Sequence, residues 1–125
     1  MKLVYGGRNT GKTAKLIKDA AAAKGIIWVG TTDRKRHIEY LAHELKIECP
    51  PIFTVYEILE GRAFAIPYSR RIAYIDDIRF FLWCVGGGRF EIEEFNCVPD
   101  KVYRTENRLM KVIEEGDLDG KDTSY

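Results

Sequence analysis

A chain of 125 residues can bury one hydrophobic core and is too short for two ordinary domains. Apolar residues make up 46% and charged residues 31%, the balance of a soluble globular protein. The net charge of +1 creates no global field for nucleic acid, so any such contact must be a local patch. No apolar run approaches a membrane span, so no membrane partner is expected. The first residues enter a strand pattern at once and leave no room for a signal peptide, which implies a cytoplasmic protein.

The run Lys2-Leu3-Val4-Tyr5 suits a short buried strand, and the alanine- and lysine-rich stretch from Ala14 to Lys24 suits a helix. Between them Gly6-Gly7-Arg8-Asn9-Thr10-Gly11-Lys12-Thr13 reads G-x-x-x-x-G-K-T, the Walker A phosphate-binding loop, in the strand–loop–helix setting the motif needs. Its glycines let backbone N–H groups turn toward a phosphate, and the helix that follows adds the positive end of its dipole. Gly6 to Ala14 are therefore the candidate nucleotide-binding residues. Lys12 is expected to reach the β- and γ-phosphates, and the Thr13 hydroxyl to ligate Mg²⁺.

Farther along, Leu16, Ile17, Ala20 and Ala21 form a helical stripe, with Gly25 as the expected terminator. Ile26-Ile27-Trp28-Val29 is a continuous apolar run, as in a parallel strand buried on both faces. Thr31, Thr32 or Asp33 can cap the next helix, whose inner stripe is Ile38, Leu41, Ala42 and Leu45. Pro50-Pro51 breaks the chain before a strand at 52–55 and a short helix at 56–60. A loop is expected over 61–69, and a fourth buried strand at Ile72-Ala73-Tyr74-Ile75. Alternation of strand and helix is the pattern of a parallel α/β sheet.

Four apolar residues followed by Asp76-Asp77 make a Walker B pattern, with Asp76 the candidate second metal ligand. The same pair could cap a helix over 78–85 that ends at Gly86-Gly87-Gly88. The segment 90–95 reads as a polar-faced edge strand, pairing with 101–104 in a small hairpin. Thr105 is expected to cap a last helix through Leu109, Val112 and Ile113, closed by Gly116. One domain over 1–116 and a disordered polar tail over 117–125 complete the reading. Cys49, Cys84 and Cys97 form no C-x-x-C pair and read as buried free thiols. His37 and His43, six residues apart, read as helix-face residues.

With Walker A, the strand ending at Gly30-Thr31-Thr32, the strand at Thr54-Val55-Tyr56 and Asp76-Asp77 in this order, the chain resembles the first half of a RecA-like P-loop NTPase core. The likeness is greatest to helicases and phage terminase motors, which often carry Gly-Gly-Arg at the start of Walker A. The resemblance implies a three-layer α/β sandwich with a mainly parallel central sheet and a small edge hairpin near the C-terminus. It also implies Mg²⁺ and ATP, or another nucleoside triphosphate, as ligands. Asp77 falls where such hydrolases place the water-orienting group, usually a glutamate, so Lys12 and Asp77 are the candidate catalytic residues. The activity implied is slow ATP hydrolysis by a phage-type ATPase or an accessory subunit in DNA transactions, in the host cytoplasm if phage-encoded.

Partners on this reading are the nucleotide, DNA or a larger assembly, and further copies of the chain. The basic cluster Arg34-Lys35-Arg36 opposes the dipole of its own helix and is the candidate contact for nucleic acid or a neighbouring subunit. Arg8 and Arg104 are further candidate cations for the γ-phosphate. Two other readings stand beside this one. Ile75-Asp76-Asp77-Ile78-Arg79-Phe80-Phe81 looks like the I-D-E-A-Q-F-F stretch of thymidine kinases, which implies a nucleoside kinase, although the four-cysteine zinc site of that family has no counterpart. A nucleotide-binding adaptor without unaided turnover is the third.

Overall fold

The structure is a computed structural model that describes residues 1–5, 11–62, 72–106 and 111–114. The first five residues of the Walker A motif, most of the loop expected over 61–69, and the tail over 117–125 lie outside the described residues. The elements in order are β1 (Lys2–Tyr5), α1 (Lys12–Ala23), β2 (Ile26–Val29), α2 (Thr32–Glu44), β3 (Ile52–Thr54), α3 (Val55–Leu59), β4 (Ala73–Ile75), α4 (Ile78–Val85), β5 (Lys101–Glu106) and β6 (Lys111–Glu114). The class is α/β. Its strands fall into two three-stranded sheets, β3-β2-β4 and β1-β5-β6. The chain divides into two compact units, Met1–Lys15 with Phe95–Tyr125, and Leu16–Glu94. Among the described residues no helix is long and apolar enough to cross a membrane.

In the larger unit β2 is central and pairs in parallel with both neighbours, Ile27 opposite Ile52 on one side and Tyr74 on the other. This is where the continuous apolar run belongs: Ile26, Ile27 and Val29 are buried, and Ile27 and Val29 join Ile17, Ala20, Ile38, Ala42 and Ile52 in one core. Each fully buried isoleucine contributes on the order of 2 kcal/mol by leaving water. Helices α1 and α2 both end in Schellman turns. In α1 the amide of Lys24 bonds to Ala21 O and that of Gly25 to Ala20 O; in α2, Lys46 bonds to His43 O and Ile47 to Ala42 O.

The terminator expected at Gly25 is one residue off. Lys24 takes the left-handed conformation, at φ 55°. Gly25 is needed for close approach, since a Cβ there would lie 2.7 Å from Ile72 O and 2.8 Å from the Tyr74 ring. The strand expected to be buried at 72–75 is a second correction. Ile72 and Ala73 are exposed, because β4 is an outer strand of its sheet.

The smaller unit holds the other departures. β5 is parallel to β1, with Leu3 opposite Val102, and antiparallel to β6, with Arg104 opposite Ile113. The hairpin near the C-terminus is thus β5–β6. The segment 90–95 forms no regular strand, for both edges of β5 are already bonded, to β1 and β6. No helix starts at Thr105. That residue is buried in β5 and its hydroxyl donates to Tyr5 O at 3.3 Å, while 111–114 is strand. Leu109 and Gly116 lie outside the described residues. At the far end of the β1–β5 pair the Met1 ammonium bonds the Asp100 carboxylate, which holds that carboxyl below its usual range, and Asp100 N donates to Met1 O at 2.7 Å.

Candidate functional site

The start of α1 is built by one glycine. Gly11 has φ 85°, a backbone conformation that a side chain strains, and its carbonyl accepts the first helical hydrogen bond, from Lys15 N at 3.0 Å. Lys12 and Thr13 are the first two helical residues, both half-buried, and Ala14 is buried. No acidic residue lies in the first turn, so no carboxylate of the turn itself offsets the positive end of the helix dipole. Lys15 turns to β5, its ammonium 4.7 Å from the centre of the Tyr103 ring. Gly6, Gly7, Arg8, Asn9 and Thr10 lie outside the described residues.

In the larger unit the parallel strands bring their carboxyl ends to one edge of β3-β2-β4. Asp76, just after β4, is only 5% exposed. Its backbone N–H donates to Trp28 O at 3.0 Å, continuing the ladder with β2. Its Oδ2 accepts from Arg34 Nε at 3.2 Å and Nη2 at 2.6 Å. Arg34 lies in the first turn of α2, which begins at the Thr31 cap, and its amide donates to Thr31 Oγ1 at 3.3 Å. The second cation of the cluster, Lys35, is 3.3 Å from Glu57 Oε1. Arg36 is 75% exposed and 3.9 Å from Asp33. All three candidate nucleic-acid contacts thus face carboxylates of their own unit, Arg36 at the longest distance and the most exposed.

Asp77 is exposed at φ 54° and caps α4, its Oδ1 accepting from Phe80 N at 3.2 Å. A non-glycine residue in this region costs about 1 kcal/mol or more, which the cap helps offset. Thr54 and Glu57 were not among the sequence candidates, although Thr54-Val55-Tyr56-Glu57 carries the T-x-x-E signature of a capping box. Both bonds of the box form here, at 3.2 Å and 3.1 Å.

A cleft of about 200 Å³ beside Asp77 is lined by Arg79, Phe80, Trp83, Glu91 and Ile92. That is below the roughly 300 Å³ at which ligand pockets begin, so it is too small for a nucleotide. The thiols expected to be buried are not: Cys49 is exposed, and Cys84 and Cys97 are half-buried. Burial pushes the Cys84 thiol up, and burial followed by Glu39 does the same to Cys49, so neither is an activated thiolate. His37 and His43 lie on the exposed face of α2.

Among the described residues no group of three or more His, Cys, Asp or Glu is placed to hold a metal. The carboxylate of Asp76 is a hard oxygen group of the kind Mg²⁺ takes, and its Oδ2 is held by Arg34. Comparison with protein-family models, curated proteins and solved structures found no match to this chain.

Proposed function

We propose that the chain binds Mg²⁺ and a nucleoside triphosphate, ATP in the first instance, through residues 6–14 and hydrolyses it slowly. The observation that carries the reading is the junction at α1. A strand precedes a G-x-x-x-x-G-K-T loop, its last glycine has a positive φ, and Lys12 and Thr13 open a helix with no acid in its first turn. Lys12 would contact the terminal phosphates. Thr13 would hold the Mg²⁺, which would neutralise charge developing on the transferred phosphoryl group, and Asp76 is a candidate second ligand from its place in the order of motifs alone. The wider proposal is a RecA-like three-layer core acting as a phage-type ATPase or an accessory subunit in DNA transactions. It rests on the order of motifs along the chain.

One observation favours the reading as a binding module without unaided turnover: one Asp77 oxygen is engaged at the α4 cap, and the side chain is a methylene shorter than the usual glutamate. Phosphate release measured from Mg²⁺–ATP alone, with DNA and with a nucleoside acceptor separates the alternatives. The ATPase reading predicts slow release that DNA raises. A kinase would produce nucleoside monophosphate, and a pure binding module would show neither. Absence of ATP binding would overturn all three.

A further inference from the structure

We propose that the cleft beside α4 is an anchor pocket for one lysine or arginine side chain on a basic segment of a partner protein. The pocket lies within the larger unit and does not depend on the nucleotide reading.

The residues of α4 divide by face. Phe81 is buried and stacks on Trp28, with ring centroids 5.9 Å apart. Trp83 comes two residues later, about 200° around the helix. It is 41% exposed, yet its indole is held in place. It stacks on Phe80 with centroids 5.9 Å apart and 17° between the planes. Gly88, at φ 74°, also closes on it, and a Cβ there would lie 3.0 Å from the indole ring. A tryptophan fixed by its neighbours and open to water is a common centre of a binding surface.

Size and charge select the occupant. At about 200 Å³ the cleft is below the range that takes whole metabolites, but it has room for a side chain. Its walls are Phe80, Trp83 and Ile92, with the carboxylates of Asp77 and Glu91 beside them. Aromatic faces attract a cation and pack on its methylene stem, while carboxylates pair with its head. Arg79 also lines the cleft and lies 3.6 Å from Glu91, but these side chains are 76% and 81% exposed. Water weakens such a pair, so Glu91 stays open to a second cation. Next in the chain, Glu93 and Glu94 are exposed and form no ion pair among the described residues. These four carboxylates stand against two guanidiniums, Arg79 and Arg89, a local charge of −2 on a chain of net charge +1. That sign repels the phosphates of a nucleic-acid strand and draws a segment rich in cations.

The test is an NMR titration of the full chain at low salt with peptides of three Arg-Gly or three Lys-Gly repeats. It is read at the indole N–H signals of the two tryptophans, assigned with Trp83→Phe, and at the Gly88 amide. Both peptides should move the Trp83 and Gly88 signals and leave Trp28 in place, and added salt should weaken both. Replacing arginine in the peptide by citrulline, its uncharged isostere, should weaken binding at least about tenfold. Trp83→Ala, and separately Glu91→Lys with Glu93→Lys, should do the same. The double charge reversal alters only exposed side chains, so it decides the matter if Trp83→Ala does not fold. Equal binding of the citrulline peptide, equal affinity in the charge-reversed variant, or no response to either cationic peptide at millimolar concentration overturns the proposal. So does a Trp83 signal that moves with oligothymidylate or on dilution of the chain but not with cationic peptides, which would assign the cleft to nucleic acid or to a second copy.

Discussion

Lys35 Nζ lies 3.3 Å from Glu57 Oε1, and the same oxygen accepts the backbone N–H of Thr54 at 3.1 Å. One carboxylate thus ties the first turn of α2 to the end of β3 and the start of α3. Burial pushes Glu57 up, but the Thr54 amide, Lys35 and the Thr54 hydroxyl together outweigh it, and the carboxyl titrates below its usual value.

That shift fixes the sign of a pH effect. A carboxylate whose pKa is lowered by folding stabilises above its unfolded pKa, and the benefit disappears as pH falls through the folded value. Glu57→Gln should therefore be less stable than wild type by about 1 kcal/mol at neutral pH, as for loss of a helix cap. The gap should close as pH falls from about 4.3 toward the lowered folded value. Urea melts of both proteins between neutral and acidic pH check this; a gap that widens on acidification would contradict it.

Three glycines should respond differently to substitution. A Cβ at Gly30 would lie 2.8 Å from both Cys84 Sγ and the Phe80 ring, and one at Gly25 would meet the Ile72 carbonyl. Gly30→Ala and Gly25→Ala should each destabilise by about 1–3 kcal/mol, as overpacking does. Gly87 has φ 71° and open space around it, so Gly87→Asn should stay within about 0.5 kcal/mol of wild type, since asparagine tolerates that conformation. Thermal melts of the three variants rank them.

Much of the larger unit is legible in the sequence because its signals are local. The Ile26–Val29 run names its strand locally and Thr31, Thr32 or Asp33 mark the start of the next helix, while the apolar stretch Ile78–Val85 reads as helix because a strand directly after β4 would leave no crossover. The smaller unit is not, because its sheet joins residues about 100 apart: Lys2 pairs with Lys101, and nothing local says that β5 has both edges taken. The helix expected from Thr105 failed for the same reason. Pairing partners across the sheet, not local propensity, decide that segment. At the candidate site, the motif positions around Lys12 and Asp76 could be read directly. The inward turn of Arg34 could not, since an arginine in a basic helix start looks like any solvated cation.

Asp77 should separate fold from chemistry. Its left-handed backbone and its cap are both compatible with asparagine, so Asp77→Asn should change stability by only a few tenths of a kcal/mol and leave nucleotide affinity intact. Asp77→Glu retains the charge but loses a good cap and should cost about 1 kcal/mol. If the carboxylate also positions water, Asp77→Asn should lower single-turnover ATP hydrolysis. Unchanged turnover in that variant would confine Asp77 to capping.

The most direct test of the central claim is calorimetric titration of Mg²⁺–ATP into wild type and Lys12→Ala. Wild type should bind with a Kd between about 1 µM and 1 mM, the range usual for enzyme substrates. Lys12→Ala should lose at least about tenfold in affinity, or 1.4 kcal/mol, while still unfolding cooperatively in nucleotide-free buffer. Equal affinity in the two proteins, or no heat of binding in wild type, would contradict the account.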